Sequence, residues 1–271
     1  MIELFSNAKI NIGLHILSKR DDGYHNIETI FYPIKLSDKL IFEYSKSFEI
    51  LSNNPSFPKD ESNLISKARN LLQKKVGKEL NFTVTVEKNI PMFAGLGGGS
   101  SNAAITLCAL NKIFDLKLTN DELFSLASQL GSDVPFFLYN IPCFAEGKGE
   151  ILTPLKDFIL DYKILIVYPK VKISTAWAYS QFQYSNKQLN LKEIKSKFDF
   201  EKNKSKIIND FETIIFPKFQ ELKKIKDTLI NAGALYASLS GSGSAIYGFF
   251  PNNKNLDIVK NLLNQYELYE C

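Results

Sequence analysis

The sequence predicts an α+β chain with two lobes, because strand-like and helix-like patterns both recur along its 271 residues. Apolar and polar residues alternate over residues 82–87, as in a strand with one buried face, whereas apolar residues recur at helical spacing over residues 64–72. The composition changes near residues 150–160, which is the best position for a boundary. We therefore predict lobes formed by residues 1–154 and 155–271.

In the predicted N-terminal lobe, apolar periodicity and helix-ending residues define each element. Residues 8–14 alternate as a strand, which places Lys9 and Asn11 on the same side. A turn-rich loop follows over residues 18–26. The other predicted elements are strands over residues 30–34, 40–44 and 82–86, a helix over residues 64–72 that stops at Gly77, a helix after the glycine run with Ser100 or Ser101 near its N-cap, and a helix from the capping box of Thr119 and Glu122 to Gly131.

The predicted C-terminal lobe begins with a compact apolar strand over residues 163–168, which Pro169 ends. Residues 185–206 are rich in Lys, Asn and Ser and are interpreted as a surface helix or loop. The later predicted elements are a helix from Pro217 to just before Gly233, strands over residues 234–239 and 245–250 joined by a second glycine loop, and a last helix over residues 256–266.

The composition is ordinary for a globular protein, with 45% apolar and 23% charged residues. A net charge of +4 is too small to indicate nucleic-acid binding, although it is compatible with an anionic ligand. Three widely separated cysteines and two histidines argue against a disulfide framework or a metal centre. No apolar run is long enough for a bilayer, and the N-terminus lacks a charged leader followed by an apolar stretch, so we expect a cytoplasmic protein without membrane or, given its mild charge, nucleic-acid partners. The alternative is an organelle-targeted protein whose leader has been removed. Nothing in the sequence specifies a dimer interface, so we expect a monomer or weak homodimer.

The most informative segment is the glycine run within residues 91–104, which opens directly into a predicted helix. Glycine lets backbone N–H groups approach a ligand closely, and a helix start adds unpaired N–H groups and a positive dipole end. Both favour a phosphate-binding loop over a flexible turn. The run lacks the Lys of a Walker A motif and has Ser100 where a dinucleotide fingerprint needs Gly. The predicted phosphate-binding residues are Pro91, Met92, Phe93, Ala94, Gly95, Leu96, Gly97, Gly98, Gly99, Ser100 and Ser101.

The segment Pro91–Ala103, which reads Pro-Met-Phe-Ala-Gly-Leu-Gly-Gly-Gly-Ser-Ser-Asn-Ala, resembles the phosphate loop of the GHMP small-molecule kinases. The resemblance implies the GHMP-kinase fold, with an active site in the cleft between an N-terminal ATP-binding lobe and a C-terminal ferredoxin-like lobe. The Lys-x-Asn start and the Asp-Gly-Tyr-His segment point to the branch whose small-molecule substrate carries a cytidine diphosphate group. The segments that agree with the superfamily, in its order, are residues 8–14, 22–25, 131–136 and 240–244.

The resemblance implies an ATP- and Mg²⁺-dependent transfer of a phosphoryl group to an alcohol, with Lys9 and Asp133 as catalytic residues. Asp133 would accept the proton of the alcohol, while the charge of Lys9 would keep that carboxylate ionised and stabilise the transferring group. From the pattern alone, an N-cap is the favoured role of Asp133, and a strand-edge lysine is the alternative for Lys9. Ser100 and Ser101 could add hydroxyl groups to the phosphates or the Mg²⁺ shell, and no protein metal site is predicted.

The resemblance also implies which residues bind the alcohol substrate. Tyr24 and His25 would recognise cytidine, since a tyrosine ring stacks on a base and a histidine hydrogen-bonds to a base edge. Tyr179 would form a second aromatic wall, with Trp177 as the alternative. The other implied substrate residues are Asn11 in the first strand and Gly241 in the second glycine loop, for which a plain hairpin turn is the alternative.

The resemblance therefore implies phosphorylation of the tertiary 2-hydroxyl of a cytidine-diphosphate derivative of 2-C-methyl-D-erythritol, in the non-mevalonate route to isoprenoid precursors. The alternatives are a kinase of the same superfamily for homoserine or a mevalonate-like alcohol, and a non-catalytic sensor of nucleotides or sugars. Ser132 stands where the family usually has Ala, and Phe93 with Ala94 replaces smaller residues. Residues 209–212 also resemble a family segment, but a charged helical face is the favoured interpretation, and we assign them no chemical role.

Overall fold

The computed structural model describes residues 1–184 and 189–271. The strands are β1 (Ile2–Lys19), β2 (His25–Tyr44), β3 (Glu49–Ser52), β4 (Phe82–Glu87), β5 (Cys143–Glu146), β6 (Ile151–Pro154), β7 (Lys163–Tyr168), β8 (Tyr236–Leu239), β9 (Ile246–Phe250) and β10 (Glu267–Glu270). The α-helices are α1 (Leu64–Val76), α2 (Gly98–Ile113), α3 (Asn120–Leu130), α4 (Val134–Tyr139), α5 (Thr175–Ser180), α6 (Lys197–Asn203), α7 (Glu212–Lys218), α8 (Gln220–Asn231) and α9 (Asp257–Leu262). Helices and strands are mixed along the chain, which confirms the α+β prediction.

The described residues form two compact units, each assembled from separate stretches of chain. The first unit comprises Met1–Ala8, Ile34–Met92 and Gly97–Asn140, and the second unit comprises Lys9–Pro33, Phe93–Leu96 and Ile141–Cys271. Strands β1 and β2 and the glycine loop therefore contribute residues to both units. The predicted lobe boundary between residues 154 and 155 stays a prediction.

In the first unit, strand β4 pairs with two neighbours. It runs antiparallel to the second half of β2, from Lys39 to Tyr44, and parallel to β3. Phe82, Val84 and Val86 are fully buried on one face of β4, which confirms the predicted alternation. Helix α2 packs against α1, α3 and α4. The helix that follows the glycine loop is therefore held by three other helices of this unit.

The second unit contains a four-stranded antiparallel sheet in the order β10–β7–β9–β8. With α8 and α9, these strands follow the chain order of the β-α-β-β-α-β pattern, which confirms the ferredoxin-like C-terminal lobe. Helix α8 packs on β8 and β9 and buries Leu222, Ile225 and Leu229. In the same unit, residues 29–31 of β2 pair with β5, and β5 pairs with β6.

Several helix ends follow the predicted signals. Gly77 ends α1 in the left-handed conformation, with φ 68°, and its N–H donates to the Gln73 carbonyl. Thr119 and Glu122 form the predicted capping box at the start of α3. Gly131 is the C-cap of the same helix. These residues are local signals, and the structure uses them as the sequence indicates.

Other elements differ from the prediction. The two strands predicted within residues 30–44 are one strand, β2, because the polar residues between them stay extended and Asp38 is buried as a hydrogen-bond acceptor. Pro217 lies inside α7 rather than at the start of a helix, and the helix that packs on the sheet begins at Gln220. The last helix, α9, is shorter than predicted, and the chain continues into β10, which pairs with β7.

The predicted surface segment over residues 185–206 is only partly described, since residues 185–188 lie outside the described residues. The rest forms two short 3₁₀ turns and α6. The ring of Phe200 is fully buried, so α6 contributes to packing and is not merely a solvated surface. Within the two described ranges, no helix is both long and apolar enough to cross a membrane.

Candidate active site

The glycine loop opens into α2 through a glycine in the left-handed conformation. Gly97 has φ 72° and occupies the N-cap, and no side chain caps this helix in the part of the chain that the structure describes. The expected cap by Ser100 or Ser101 is wrong, because the helix already begins at Gly98. The first-turn N–H groups and the positive end of the helix dipole therefore form a suitable anion site.

The two serines of the loop differ in environment. Ser101 is buried, and its Oγ lies 2.7 Å from Ser6 Oγ of β1. The same Ser6 hydroxyl lies 2.7 Å from Asn102 Oδ1. Ser100 is only half-buried. Ser101 therefore fixes the first turn of α2 to β1, while Ser100 is the serine more open to a phosphate.

The remaining loop residues divide into buried and open positions. Ala94 and Leu96 are each 1% exposed, so their side chains are packed inside the protein and are not open to a nucleotide. Phe93 is 72% exposed and has φ 59°, a conformation for which glycine is the usual residue. This geometry accounts for the smaller residue that the family resemblance leads us to expect there. Pro91 and Met92 are half-buried, and Gly99 is exposed.

A buried ion pair lies behind the start of α2. Lys88 Nζ is 2.7 Å from the Asp38 carboxylate and donates to the Ile90 carbonyl at 2.5 Å. The second oxygen of that carboxylate accepts from the backbone N–H groups of Asn89 and Ile90, each at 2.8 Å. A Cβ on Gly98 would lie 3.2 Å from Lys88 Nζ. Burial lowers the pKa of Lys88, and Asp38 opposes that shift. The pair thus fixes the chain between β4 and the glycine loop.

Replacing Lys88 with methionine is expected to lower the free energy of unfolding by about 3–5 kcal/mol, because the buried Asp38 carboxylate would lose its cation. The matched control is Lys75→Met, which removes an exposed ion pair with Glu122 in the same unit. Loss of such a surface pair should cost less than about 1 kcal/mol. Chemical denaturation of both variants measures the difference, and equally small losses would contradict a fixing role for the buried pair.

The middle of the glycine loop, residues 93–96, contacts the second glycine loop within the second unit. Gly95 has φ 79°, and its carbonyl accepts a 3.0 Å hydrogen bond from Ser240 Oγ. A Cβ on Gly95 would collide with the Ser240 carbonyl oxygen. The Ala94 carbonyl accepts from the Ala245 N–H at 3.0 Å. The two glycine loops are therefore in close backbone contact, which only a glycine at position 95 allows.

Lys9 and Asn11 lie on the same side of β1, as predicted, and both are buried. Lys9 Nζ donates to Asn11 Oδ1 and lies 4.9 Å from the centre of the Phe31 ring. The Lys9 backbone N–H donates to the Leu96 carbonyl at 3.0 Å. With 3% of its surface exposed, Lys9 is not a solvated strand-edge lysine. The backbone of Lys9 thus contacts Leu96, the last residue of the 93–96 segment.

Asn11 is oriented by a chain of hydrogen bonds. Its Nδ2 donates to Thr29 Oγ1 at 3.0 Å, and that hydroxyl donates to the Gly13 carbonyl at 2.6 Å. The Tyr247 hydroxyl donates to the Asn11 carbonyl at 2.7 Å. A Cβ on Gly241 would lie 3.5 Å from Asn11 Oδ1. The structure thus places two of the predicted substrate residues, Asn11 and Gly241, side by side.

Asp133 directly precedes α4 in the first unit and is half-buried. It occupies the N-cap position, but its side chain makes no capping hydrogen bond within the described residues. The N-cap interpretation is therefore wrong for the side chain. The Val134 N–H is satisfied by the Gly131 carbonyl at 3.2 Å, and Pro135 has no N–H to cap. The start of α4 therefore does not need the Asp133 carboxylate as a cap.

The Asp-Gly-Tyr-His segment is a tight loop braced by its own polar groups. Asp22 accepts a 3.1 Å hydrogen bond from the Tyr24 N–H, and its carboxylate pairs with Arg20 at 2.9 Å. The Tyr24 ring is 53% exposed, with Lys148 Nζ 4.5 Å from its centre. The loop therefore presents an open aromatic ring beside a cation, which is a suitable surface for a base and its phosphates.

His25 and Tyr179 are brought together from distant parts of the chain. Their rings are stacked, with centroids 4.4 Å apart and planes 14° from parallel. Burial, with a smaller contribution from Lys19, lowers the pKa of His25. A lowered pKa favours the neutral imidazole, which can both donate and accept a hydrogen bond.

The only tryptophan has a different environment. The Trp177 ring lies edge-on to Phe219, with centroids 6.1 Å apart, and Lys218 Nζ is 3.9 Å from its centre. The structure thus favours Tyr179 over Trp177 as the aromatic partner of His25. Tyr184 was not among the predicted site residues, but its ring centroid lies 6.3 Å from that of His25.

Other residues that the sequence analysis missed are supporting residues inside strands. Thr29 and Phe31 lie two residues apart on β2 and contact Asn11 and Lys9, respectively. Asp38 is an acidic residue between two apolar runs, and in the structure it is buried in an extended strand. None of these residues belongs to a glycine run or a loop motif, so only their partners in space identify them.

The family model described as GHMP kinases N terminal domain matches residues 63–140, and the one described as GHMP kinases C terminal matches residues 198–267. A 4-diphosphocytidyl-2-C-methyl-D-erythritol kinase from Azobacteroides pseudotrichonymphae genomovar. CFP2 is 44% identical over 247 residues, which are 91% of this chain and 92% of that protein. The chain belongs to the 4-diphosphocytidyl-2-C-methyl-D-erythritol kinase family. It is an ATP-dependent small-molecule kinase, as predicted.

Solved structures agree with membership in the 4-diphosphocytidyl-2-C-methyl-D-erythritol kinase family. A crystal structure of 4-(cytidine 5'-diphospho)-2C-methyl-D-erythritol kinase matches with a TM-score of 0.84 and 30% identity, covering 99% of this chain and 98% of that one. The Methanococcus jannaschii mevalonate kinase matches with a TM-score of 0.69 and 17% identity, covering 100% and 97%. The second likeness concerns the fold alone. Together they confirm the GHMP-kinase fold of this member of the family.

Proposed function

We propose that this kinase transfers the γ-phosphoryl group of ATP to the 2-hydroxyl of 4-diphosphocytidyl-2-C-methyl-D-erythritol, in the non-mevalonate route to isoprenoid precursors. The names of the relative and of the crystal structure support this substrate. The main structural support for the proposed chemistry is the backbone hydrogen bond from Lys9 to Leu96. It connects β1, which carries the buried Lys9 ammonium group, to the ATP loop. An ammonium near the phosphates can stabilise the charge that develops on the transferring group.

In the proposed step, Asp133 accepts the proton of the 2-hydroxyl while that oxygen attacks the γ-phosphorus. The bond between the γ-phosphorus and the β–γ bridging oxygen breaks, and ADP leaves. Lys9, oriented by Asn11 Oδ1, offsets the negative charge of the transferring group. Residues 91–101 hold the ATP phosphates through backbone N–H groups and the start of α2.

Mg²⁺ enters the proposed reaction with ATP. Among residues 1–184 and 189–271, no group of three or more His, Cys, Asp and Glu side chains could hold a metal ion by itself. Mg²⁺ is usually bound by one or two protein oxygens together with substrate phosphates and waters, so the residues present fit an ion carried by the nucleotide. Ser100 would be the loop hydroxyl that helps to hold that ion, because it is the more open of the two loop serines. The ion would neutralise charge on the β- and γ-phosphates.

The cytidine group is assigned to Tyr24, His25 and Tyr179. A neutral imidazole can make one hydrogen bond to a cytosine edge, as donor to the ring nitrogen or as acceptor from the amino group, and the tyrosine rings offer stacking surfaces. The stacked pair of His25 and Tyr179 supports this assignment, since it joins two of the three residues in one place. We also propose that the kinase acts in the cytoplasm as a monomer or weak homodimer.

Tyr24→Ala is expected to raise the KM for the cytidine substrate about 10-fold or more, because stacking contributes about 1–3 kcal/mol per base. The kcat and the KM for ATP should change little, since the exposed ring is not assigned to the phosphates. Steady-state kinetics with each substrate varied in turn measures the split. Tyr24→Phe is the matched control, since it keeps the ring and should keep the KM. An unchanged KM in Tyr24→Ala would count against the stacking role.

A coupled assay of ADP release tests the proposed function. The enzyme is given ATP and Mg²⁺ with the cytidine substrate, homoserine or mevalonate in parallel reactions. We expect a kcat/KM for the cytidine substrate at least about 100-fold above those for the other two alcohols, because only that substrate offers a base to the aromatic residues. Turnover with homoserine or mevalonate, and none with the cytidine substrate, would overturn the proposal.

A further inference from the structure

The segment of residues 209–212 is buried and not a solvated helical face, which corrects its sequence-based interpretation. Asn209 is 1% exposed, and the Glu212 side chain is 11% exposed. Glu212 is the first residue of α7, and Asn209 precedes it in an irregular stretch. Buried polar side chains of this kind are retained where they satisfy specific partners. Glu212 Oε2 pairs with Lys226 Nζ of α8 at 2.5 Å, and the other partners of the two side chains lie at or next to the second glycine loop, residues 240–244.

Asn209 and Glu212 hold the chain where β8 runs into that loop. Asn209 Nδ2 donates to the carbonyls of Leu239 and Gly241, both at 2.8 Å. Glu212 Oε1 accepts from the Leu239 N–H at 2.9 Å and from Ser238 Oγ at 3.0 Å. Because β8 lies at the edge of its sheet, side chains take the place of a neighbouring strand here. Both backbone polar groups of Leu239 are thus bound by these two residues.

The residue 209–212 segment and the neighbouring Ile208 are hydrogen-bonded to β1, the strand that carries Lys9 and Asn11. The Leu14 N–H donates to the Ile208 carbonyl at 2.9 Å, and the Asp210 N–H donates to the Leu14 carbonyl at 2.8 Å. The Ile16 N–H donates to the Asp210 carboxylate at 2.7 Å. The segment therefore lies between β1 on one side and the second glycine loop on the other.

The held loop in turn contacts residues of the reaction site. Ser240 Oγ donates to the Gly95 carbonyl of the ATP loop at 3.0 Å. Gly241 lies beside Asn11, with a distance of 3.5 Å from its ideal Cβ position to Asn11 Oδ1. The loop contains two glycines in the left-handed conformation, Gly241 at φ 57° and Gly243 at φ 87°. Such a sequence has little conformational preference of its own, so its position depends on external bonds.

We propose that Asn209 and Glu212 are positioning residues that set the second glycine loop against the ATP loop and Asn11 and so align the phosphoryl group with the acceptor hydroxyl. This inference rests on the proposed function. Neither residue needs to touch a substrate, because each acts through Leu239 and Gly241. An error of about 1 Å in such a loop can cost about 100-fold in rate.

The test compares Asn209→Ala and Glu212→Ala with Glu212→Gln and a matched control, Asn111→Ala. Asn111 makes equivalent side-chain bonds to the Leu118 backbone, at 3.0 and 3.1 Å, in the other unit. For each variant, kcat with the cytidine substrate and calorimetric binding of a non-hydrolysable ATP analogue are measured. We expect kcat to fall about 10- to 100-fold in both alanine variants at the 209–212 segment, with binding stoichiometry still one per chain. Glu212→Gln, which keeps an acceptor for Leu239, should retain most activity, and Asn111→Ala should keep kcat.

Parallel loss of kcat and binding stoichiometry in Asn209→Ala and Glu212→Ala would show misfolding instead of misalignment and would overturn the inference. Unchanged kcat in both variants would also overturn it. If the wild-type enzyme does not turn over the cytidine substrate, the proposed function fails, and amide hydrogen exchange still tests the inference. The amides of Ser240, Gly243 and Ala245, which are hydrogen-bonded in this structure, should then exchange faster in Asn209→Ala than in Asn111→Ala. Equal amide exchange rates in Asn209→Ala and Asn111→Ala would overturn the inference.

Discussion

Asp133→Asn is expected to lower kcat by about 10²- to 10⁴-fold, which is the usual contribution of a positioned general base. Asparagine has nearly the same shape as aspartate but cannot take a proton from the 2-hydroxyl. The affinity for ATP should stay within about threefold, because the proposed phosphate site consists of backbone N–H groups and the start of α2. Steady-state kinetics, with calorimetric binding of a non-hydrolysable ATP analogue, separates the two quantities.

Asp121→Asn is the matched control for this experiment. Asp121 is also an acidic residue at the start of a helix in the first unit, where it lies in the first turn of α3. Its loss removes a favourable interaction with the helix dipole, worth about 0.3–1 kcal/mol of stability, and should leave kcat unchanged. Near-normal turnover in Asp133→Asn would refute the assignment of the base. A similar fall of kcat in both variants would mean that kcat depends on negative charge at helix starts and not on proton transfer to Asp133.

Gly95→Ala is expected to lower kcat/KM for ATP by about 100-fold, because the added Cβ displaces one glycine loop from the other. At φ 79° the methyl group would collide with the Ser240 carbonyl oxygen and lie 3.1 Å from the Gly243 carbonyl oxygen. Both neighbours are backbone atoms, so no side chain can rotate away to relieve the contact. The ATP loop or the second glycine loop must move, and each contributes to the proposed alignment of the reacting groups.

Gly77→Ala separates this collision from the cost of the backbone conformation. Gly77 has φ 68°, similar to Gly95, but no heavy atom of the described chain lies within 4 Å of its ideal Cβ position. An alanine at a left-handed position costs about 1–2 kcal/mol, so Gly77→Ala should lose that much stability in chemical denaturation, and Gly95→Ala should lose more because of the collision. Only Gly95→Ala should lose ATP-dependent activity. Equal activity in the two variants would show that the close approach of the loops is not needed.

The features that could be predicted from the sequence are those encoded by residues close together in the chain. The glycine run before α2, the capping box of Thr119 and Glu122 and the stop at Gly77 are local signals, and the structure uses each of them. Alternation on β1 placed Lys9 and Asn11 on one side, and their side chains are hydrogen-bonded. Family resemblance, and not periodicity, supplied the kinase activity and the selection of Asp133 over an ordinary helix cap.

The features that were missed depend on partners far away in the chain. Asp38 reads as a break between two strands because its three hydrogen-bond donors belong to residues 88–90, about fifty positions later. Asn209 and Glu212 read as a charged surface because their partners at the end of β8 follow in a separate element. Strand β10 was missed because its pairing with β7 spans about a hundred residues. In each case the deciding interaction is long-range and leaves no local pattern.

The proposed mechanism requires the amine of Lys9 and the carboxylate of Asp133 to converge on one alcohol. A crystal structure with a non-hydrolysable ATP analogue and the cytidine substrate tests it most directly. In that complex we expect an Asp133 oxygen about 2.6–3.2 Å from the 2-hydroxyl oxygen and Lys9 Nζ about 2.7–2.9 Å from a γ-phosphate oxygen. A complex in which these two side chains face separate regions, with the 2-hydroxyl beyond the reach of Asp133, would contradict it.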